Sequence, residues 1–133
     1  MTCRTDSSQK LFTFEEKKSK LTLENVDQVI STKILVDGCE INDETIRCDY
    51  MLLAKGIEFY IELKGQDLVH AINQIKATIK RLSADVKSKN KKAYIICTRS
   101  PLSSTQIQNI KFDLLKNYNS DLQIKSSPYK DKY

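Results

Sequence analysis

The sequence predicts a mixed α/β domain. A β-meander is followed by α-β-α-β, giving a mixed central sheet flanked by helices. Three observations carry this reading. Ile57 to Lys64 alternates strictly, with Ile57, Phe59, Ile61 and Leu63 on one face and Glu58, Tyr60, Glu62 and Lys64 on the other. Leu68, Ile72, Ile75, Ile79, Leu82 and Val86 then recur at spacings of 4, 3, 4, 3 and 4, an apolar helix stripe. Ala93 to Cys97 is an unbroken apolar run with no alternation, as expected of a strand buried on both faces.

The remaining elements fall around these three. The polar stretch 1–10 carries no apolar pattern and is expected to be a disordered arm. Leu11 to Lys20 reads as either a short helix or an irregular arm. β-Branched residues from Val29 to Val36 predict the first strand, closed by Asp37-Gly38. Thr45 to Ala54 and Ile57 to Lys64 are the second and third strands, turned at Gly56. Asp67 is placed to cap the first helix, and Ser103 or Ser104 the second, after Pro101. The second helix has Ile107, Ile110, Leu114 and Tyr118 on its apolar side, with Phe112 and Leu115 beside it. Leu122 to Lys125 forms a short last strand, and 126–133 is expected to fray. One domain over 11–125 results, a normal size for a chain of 133 residues.

Composition narrows the class. The net charge of +5 permits a polyanionic partner without requiring one. No apolar run approaches the ~20 residues of a membrane span, and the start of the chain lacks a signal-peptide core. The expectation is a cytoplasmic protein with no membrane partner, in which Cys3, Cys39, Cys48 and Cys97 are reduced. No Cys-x-x-Cys pair is present and His70 is the only histidine, so a zinc site is not expected.

The chemistry gathers on the second and third strands. Asp49 lies on one, and Glu62-Leu63-Lys64 ends the next, thirteen residues later across the hairpin. An acid and a base two residues apart at a strand end, with a second acid on the neighbouring strand, is an arrangement that can hold a metal. The plain alternative for Glu62 and Lys64 is a solvated surface ion pair worth about 0–1 kcal/mol. Gln74 and His70 follow on one face of the helix, four residues apart.

Asp49, then Glu62-Leu63-Lys64, then a helix carrying Gln74, resembles the PD-(D/E)xK nuclease superfamily, the restriction-endonuclease-like fold shared with Holliday-junction resolvases. The resemblance spans roughly 33–98. It implies a metal-dependent endonuclease that hydrolyses phosphodiester bonds, of DNA in preference to RNA, using Mg²⁺ or Mn²⁺. Asp49, Glu62 and the carbonyl of Leu63 would be the metal ligands. Lys64 would orient the attacking water, Gln74 would support the site, and His70 would contact a phosphate or water. Two departures stand: Cys48 replaces the proline before the first acid, and the fourth acid has no clear equivalent, with Glu24 and Asp37 as candidates.

Between Lys76 and Lys92 there are seven basic residues, Lys76, Lys80, Arg81, Lys87, Lys89, Lys91 and Lys92, against one acid, Asp85. They form either a solvated segment or, with Arg99, a grip on a phosphate backbone. A domain this small has little surface for reading sequence, so a homodimer or a targeting partner protein is expected. The alternative reading is a nuclease-fold protein that no longer cuts and binds a protein partner, as an immunity or inhibitor module.

Overall fold

The structure, a computed structural model, describes residues 2–63, 67–97 and 103–133. Among these the chain forms a mixed six-stranded sheet, a separate three-stranded sheet and two helices. In chain order they are β1 (Arg4–Ser7), β2 (Leu11–Glu16), β3 (Ser19–Glu24), β4 (Ser31–Leu35), β5 (Tyr50–Ala54) and β6 (Ile57–Leu63). There follow α1 (Leu68–Leu82), β7 (Lys91–Cys97), α2 (Ser104–Tyr118), β8 (Ser120–Ser126) and β9 (Tyr129–Lys132). The large sheet has the order β1-β4-β5-β6-β7-β8, antiparallel from β1 to β6 and parallel from β6 to β8. The small sheet is β2-β3-β9, with β9 parallel to β3.

The alternation of β6 sorts its residues between two cores. Tyr60 packs with Leu68, Ala71, Ile72, Ile75 and Ile79 of α1. Phe59, Ile61 and Leu63 pack with Phe12, Phe14, Leu21 and Leu23 of the small sheet. The large sheet is therefore covered on both faces, by helix on one and sheet on the other. β7 follows the same rule: Ala93 and Ile95 face the helical core while Tyr94 and Ile96 face the small sheet, which explains why its sequence shows no alternation. No helix among the described residues is long and apolar enough to cross a membrane.

Both helix starts are where the capping residues put them. Asp67 Oδ1 accepts from the His70 N–H at 3.1 Å. Ser103 and Gln106 form a reciprocal capping box on α2. The apolar side of α2 is narrower than its sequence suggests. Leu114 is buried, whereas Phe112 and Leu115 remain 66% and 57% exposed.

Three stretches differ from expectation. Within 1–10, Arg4–Ser7 is an edge strand against β4 rather than a disordered arm. An edge strand with solvated side chains needs no apolar residues, so Arg4-Thr5-Asp6-Ser7 gives no pattern to read. Leu11 to Lys20 is neither helix nor arm but most of the β2–β3 hairpin, whose inward residues Phe12, Phe14, Leu21 and Leu23 are fully buried. Within 126–133, Tyr129–Lys132 pairs with β3, and Tyr133 packs against Phe59 and hydrogen-bonds Ser31 Oγ at 2.8 Å. The cysteines also differ: Cys3 and Cys39 form a disulfide, which joins the chain ahead of β1 to the loop after β4. Cys48 and Cys97 are free and buried.

Lys91 shows what burial does to one member of the basic run. It is 3% exposed, and its ammonium donates to the carbonyls of Asp85, Val86, Lys89 and Tyr118 at 2.7 to 3.0 Å. It ties the segment before β7 to the end of α2 and is not a phosphate contact. Lys91→Met leaves those carbonyls without their donor and is expected to cost about 2 kcal/mol of unfolding free energy. Chemical denaturation would measure this, and an unchanged midpoint would contradict it.

Candidate functional site

Asp49 and Glu62 meet at one end of the β5–β6 ladder. Tyr50 pairs with Ile61 on the last rung, and the Asp49 N–H donates to Ile61 O at 3.1 Å. Asp49 thus lies beside Glu62, the penultimate residue of β6. Asp49 Oδ2 accepts the Leu63 N–H at 2.8 Å, and the Asp49 and Glu62 carboxyls are hydrogen-bonded to each other. Both are almost wholly buried, at 8% and 6% exposure.

A third acid reaches them from the small sheet. Glu16, the last residue of β2, hydrogen-bonds the Asp49 carboxyl. Sequence reasoning proposed Glu24 and Asp37 for such a role and missed Glu16. The signal was present: in β2, Phe12, Phe14 and Glu16 share a face, and the two phenylalanines are buried. An acid continuing a buried face at period two is aimed at the larger sheet, not at solvent. Glu24 lies at the other end of the same hairpin, paired with Leu11 in register and with Lys130 at 4.0 Å. Asp37 is held at the rim by Arg47 at 2.9 Å.

Burial dominates the electrostatics. It pushes Asp49 up to about 7 despite the opposing Leu63 N–H, and the charge of Glu16 adds to the rise. Burial and then the Asp49 charge push Glu62 up to about 9. Near neutral pH, Glu62 therefore keeps its proton and gives it to Asp49 as a hydrogen bond. Glu62 Oε1 has no hydrogen-bond partner among the described residues although it is inaccessible to solvent. An orphaned buried carboxyl oxygen costs about 1–3 kcal/mol and calls for a reason.

The chain before Asp49 is clamped by α1. Gln74 Nε2 donates to Arg47 O at 3.0 Å, and Thr78 Oγ1 accepts the Cys48 N–H at 2.8 Å. Thr78 Oγ1 in turn donates to Gln74 O at 2.8 Å. Gln74 thus positions the backbone leading into Asp49. His70, exposed one turn earlier, lines a cleft of about 280 Å³ together with Asp37, Arg47, Asp49 and Gln74. Lys64 and Arg99 lie outside the described residues.

The basic run lies elsewhere. Glu58, four residues before Glu62 on β6, accepts from Ser83 Oγ at 2.6 Å and Ala84 N–H at 2.8 Å, and pairs in register with Lys91. Four strand residues span about 13 Å, so the segment carrying Lys87 and Lys89 leaves from the end of the sheet opposite the acids. Lys76 is paired with Asp113 at 2.6 Å, and Arg81 with Asp43 at 2.7 Å. Lys80 and Lys87 are exposed, while Lys89 and Lys92 are half-buried.

The donor set of Glu16, Asp49 and Glu62 is entirely oxygen, which suits a hard cation such as Mg²⁺ or Mn²⁺. Among the described residues no group of three or more His, Cys, Asp or Glu is placed to hold a metal ion. No family model, curated protein or solved structure matches the chain.

Proposed function

We propose that the protein is a metal-dependent nuclease of the PD-(D/E)xK type, with a restriction-endonuclease-like core, that hydrolyses phosphodiester bonds of nucleic acid, DNA in preference to RNA. The observation that carries the reading is the orphaned, buried Glu62 Oε1 inside a cluster of three carboxyl groups. A divalent cation would give that oxygen a partner and take the place of the protons that the acids otherwise hold.

Glu16, Asp49 and Glu62 are the residues that would hold the ion, with the Leu63 carbonyl oxygen added by the resemblance. A bound Mg²⁺ supplies charge neutralisation at a phosphate and makes hydroxide easier to form from water. The chain's own part is positional. Gln74 and Thr78 fix the backbone ahead of Asp49, and the Leu63 N–H fixes one of its oxygens. Lys64 is assigned the orientation of the attacking water on the resemblance alone. Hydrolysis adds water across one P–O ester bond and leaves a phosphate monoester and a hydroxyl. Cleavage of labelled single-stranded, duplex and branched DNA and of RNA, with Mg²⁺ or Mn²⁺ and with EDTA, tests this. Activity abolished by EDTA supports it, and no cleavage by folded protein contradicts it.

A second reading is favoured by the exposed Phe112 and Leu115 on α2. In it the fold has lost cleavage and binds a protein partner, as an immunity or inhibitor module does. That reading expects partner binding indifferent to Mg²⁺.

A further inference from the structure

We infer that the nucleic-acid backbone is gripped by Lys17, Lys18 and Lys125, at the acid-bearing end of the two sheets, and not by the Lys87–Lys92 segment. The identity of the ligand rests on the nuclease reading above.

Lys17 and Lys18 are the two-residue turn between β2 and β3, bracketed by the Glu16–Ser19 pair. They therefore follow directly on the acid that touches Asp49. Lys17 holds a left-handed backbone, φ 51°, a place where glycine or asparagine is the usual choice. The turn is pinned from the far side: Ser127 Oγ accepts the Lys20 N–H at 2.9 Å and donates to Lys18 O at 3.1 Å. Ser127 follows β8, and Lys125 sits on that strand in the same rung as Ile96 and Leu63. Two strand spacings place Lys125 about 10 Å from Leu63. Its Nζ lies 5.5 Å from the Tyr129 ring centroid.

Three lysines from two elements thus sit at the acid-bearing end on the small-sheet side, the side to which Leu63 and Ile96 also point, and none of them has a carboxylate partner among the described residues. Lys20 does not join them, because it faces Glu15 across the hairpin. The competing cations are spent or misplaced: Lys76 and Arg81 are ion-paired, Lys91 is buried, and Lys87 and Lys89 lie toward the far end of β6. A strand running across Lys17, Lys18 and Lys125 passes the sheet end that carries Asp49 and Glu62, whereas one bound at the far end does not.

The test is fluorescence anisotropy with a labelled single-stranded and a labelled duplex 20-mer DNA, in EDTA and in Ca²⁺. The variants are the triple Lys17→Gln/Lys18→Gln/Lys125→Gln and the double Lys87→Gln/Lys92→Gln, with Mg²⁺ cleavage by the wild type run alongside. The triple variant is expected to lose roughly tenfold or more in affinity, and its slope of log K against log salt to fall by about two on the single strand and nearly three on the duplex. The double variant is expected to stay within about twofold of wild type. All five changed residues are exposed or half-buried, so an unchanged melting profile verifies folding. A triple variant that binds like wild type, or a double variant that loses as much, overturns the inference while cleavage by the wild type leaves the nuclease reading standing. A wild type that neither binds nor cleaves DNA overturns both.

Discussion

Glu62→Gln is expected to lower metal-dependent cleavage by a factor of about 10³ or more while making the metal-free protein more stable at pH 8. The two effects have one cause. Glu62 is 6% exposed, and burial together with Asp49 resists its ionisation. Glutamine has the shape of the protonated acid and can donate to Asp49 in its place, so the folded protein no longer binds a proton that alkaline solvent withdraws. The gain at pH 8 is expected to be about 1–2 kcal/mol. The same change removes an anionic oxygen from the site. A purely structural Glu62 predicts the opposite pattern, with stability lost and activity carried down only by unfolding. Single-turnover cleavage beside urea denaturation of the same samples separates the two, and a variant that cleaves at the wild-type rate contradicts the site.

The metal-free protein is expected to lose several kcal/mol of stability between pH 5 and pH 9, and divalent cation is expected to restore part of it. Burial pushes Asp49 up to about 7 and Glu62 up to about 9, against ordinary carboxyl values near 4. Both groups hold protons in the folded state at pH values where the unfolded chain has released them. Unfolding therefore releases protons, and rising pH favours the unfolded state until the folded carboxyls have themselves ionised. The contribution is fully present below about pH 4, falls steadily above it, and is gone once the folded carboxyls have ionised near pH 7 to 9. A bound cation reverses this, because it favours the ionised acids; at a hundredfold excess over Kd it adds about 2.7 kcal/mol. Thermal melts across pH, with and without Mg²⁺, measure both parts. A melting temperature that rises from pH 5 to pH 9 without metal contradicts the account.

The readable parts of this chain were those where one physical signal dominates. The α1 stripe, the β6 alternation and the Asp67 cap each correspond to an element whose buried face is apolar, so pattern and structure agree. Asp49 and Glu62 were legible because a hairpin with a two-residue turn at Lys55-Gly56 fixes which residues oppose one another. Glu16 was not, because its strand pairs within a second sheet whose role depends on long-range packing against β5, β6 and β7. The edge strand β1 and the tail strand β9 are polar and short, so their placement comes from backbone pairing, which leaves little trace in composition. The Cys3–Cys39 disulfide follows from the same long-range placement and had no spacing signal. The place of the basic run was not legible for a simpler reason: charge is easily counted along a chain, but only the register of β6 with β7 shows that Lys91 lies beside Glu58 and not beside Glu62.

The central claim is that Glu16, Asp49 and Glu62 together take up a divalent cation in exchange for protons. Calorimetric titration of Mn²⁺ into the protein at pH 7.5, repeated in two buffers of different ionisation enthalpy, tests it directly. The account predicts saturable binding whose heat differs between the buffers, showing proton release, and whose signal disappears in Glu62→Gln. Binding unaltered by Glu62→Gln, or no binding at millimolar Mn²⁺, would contradict it.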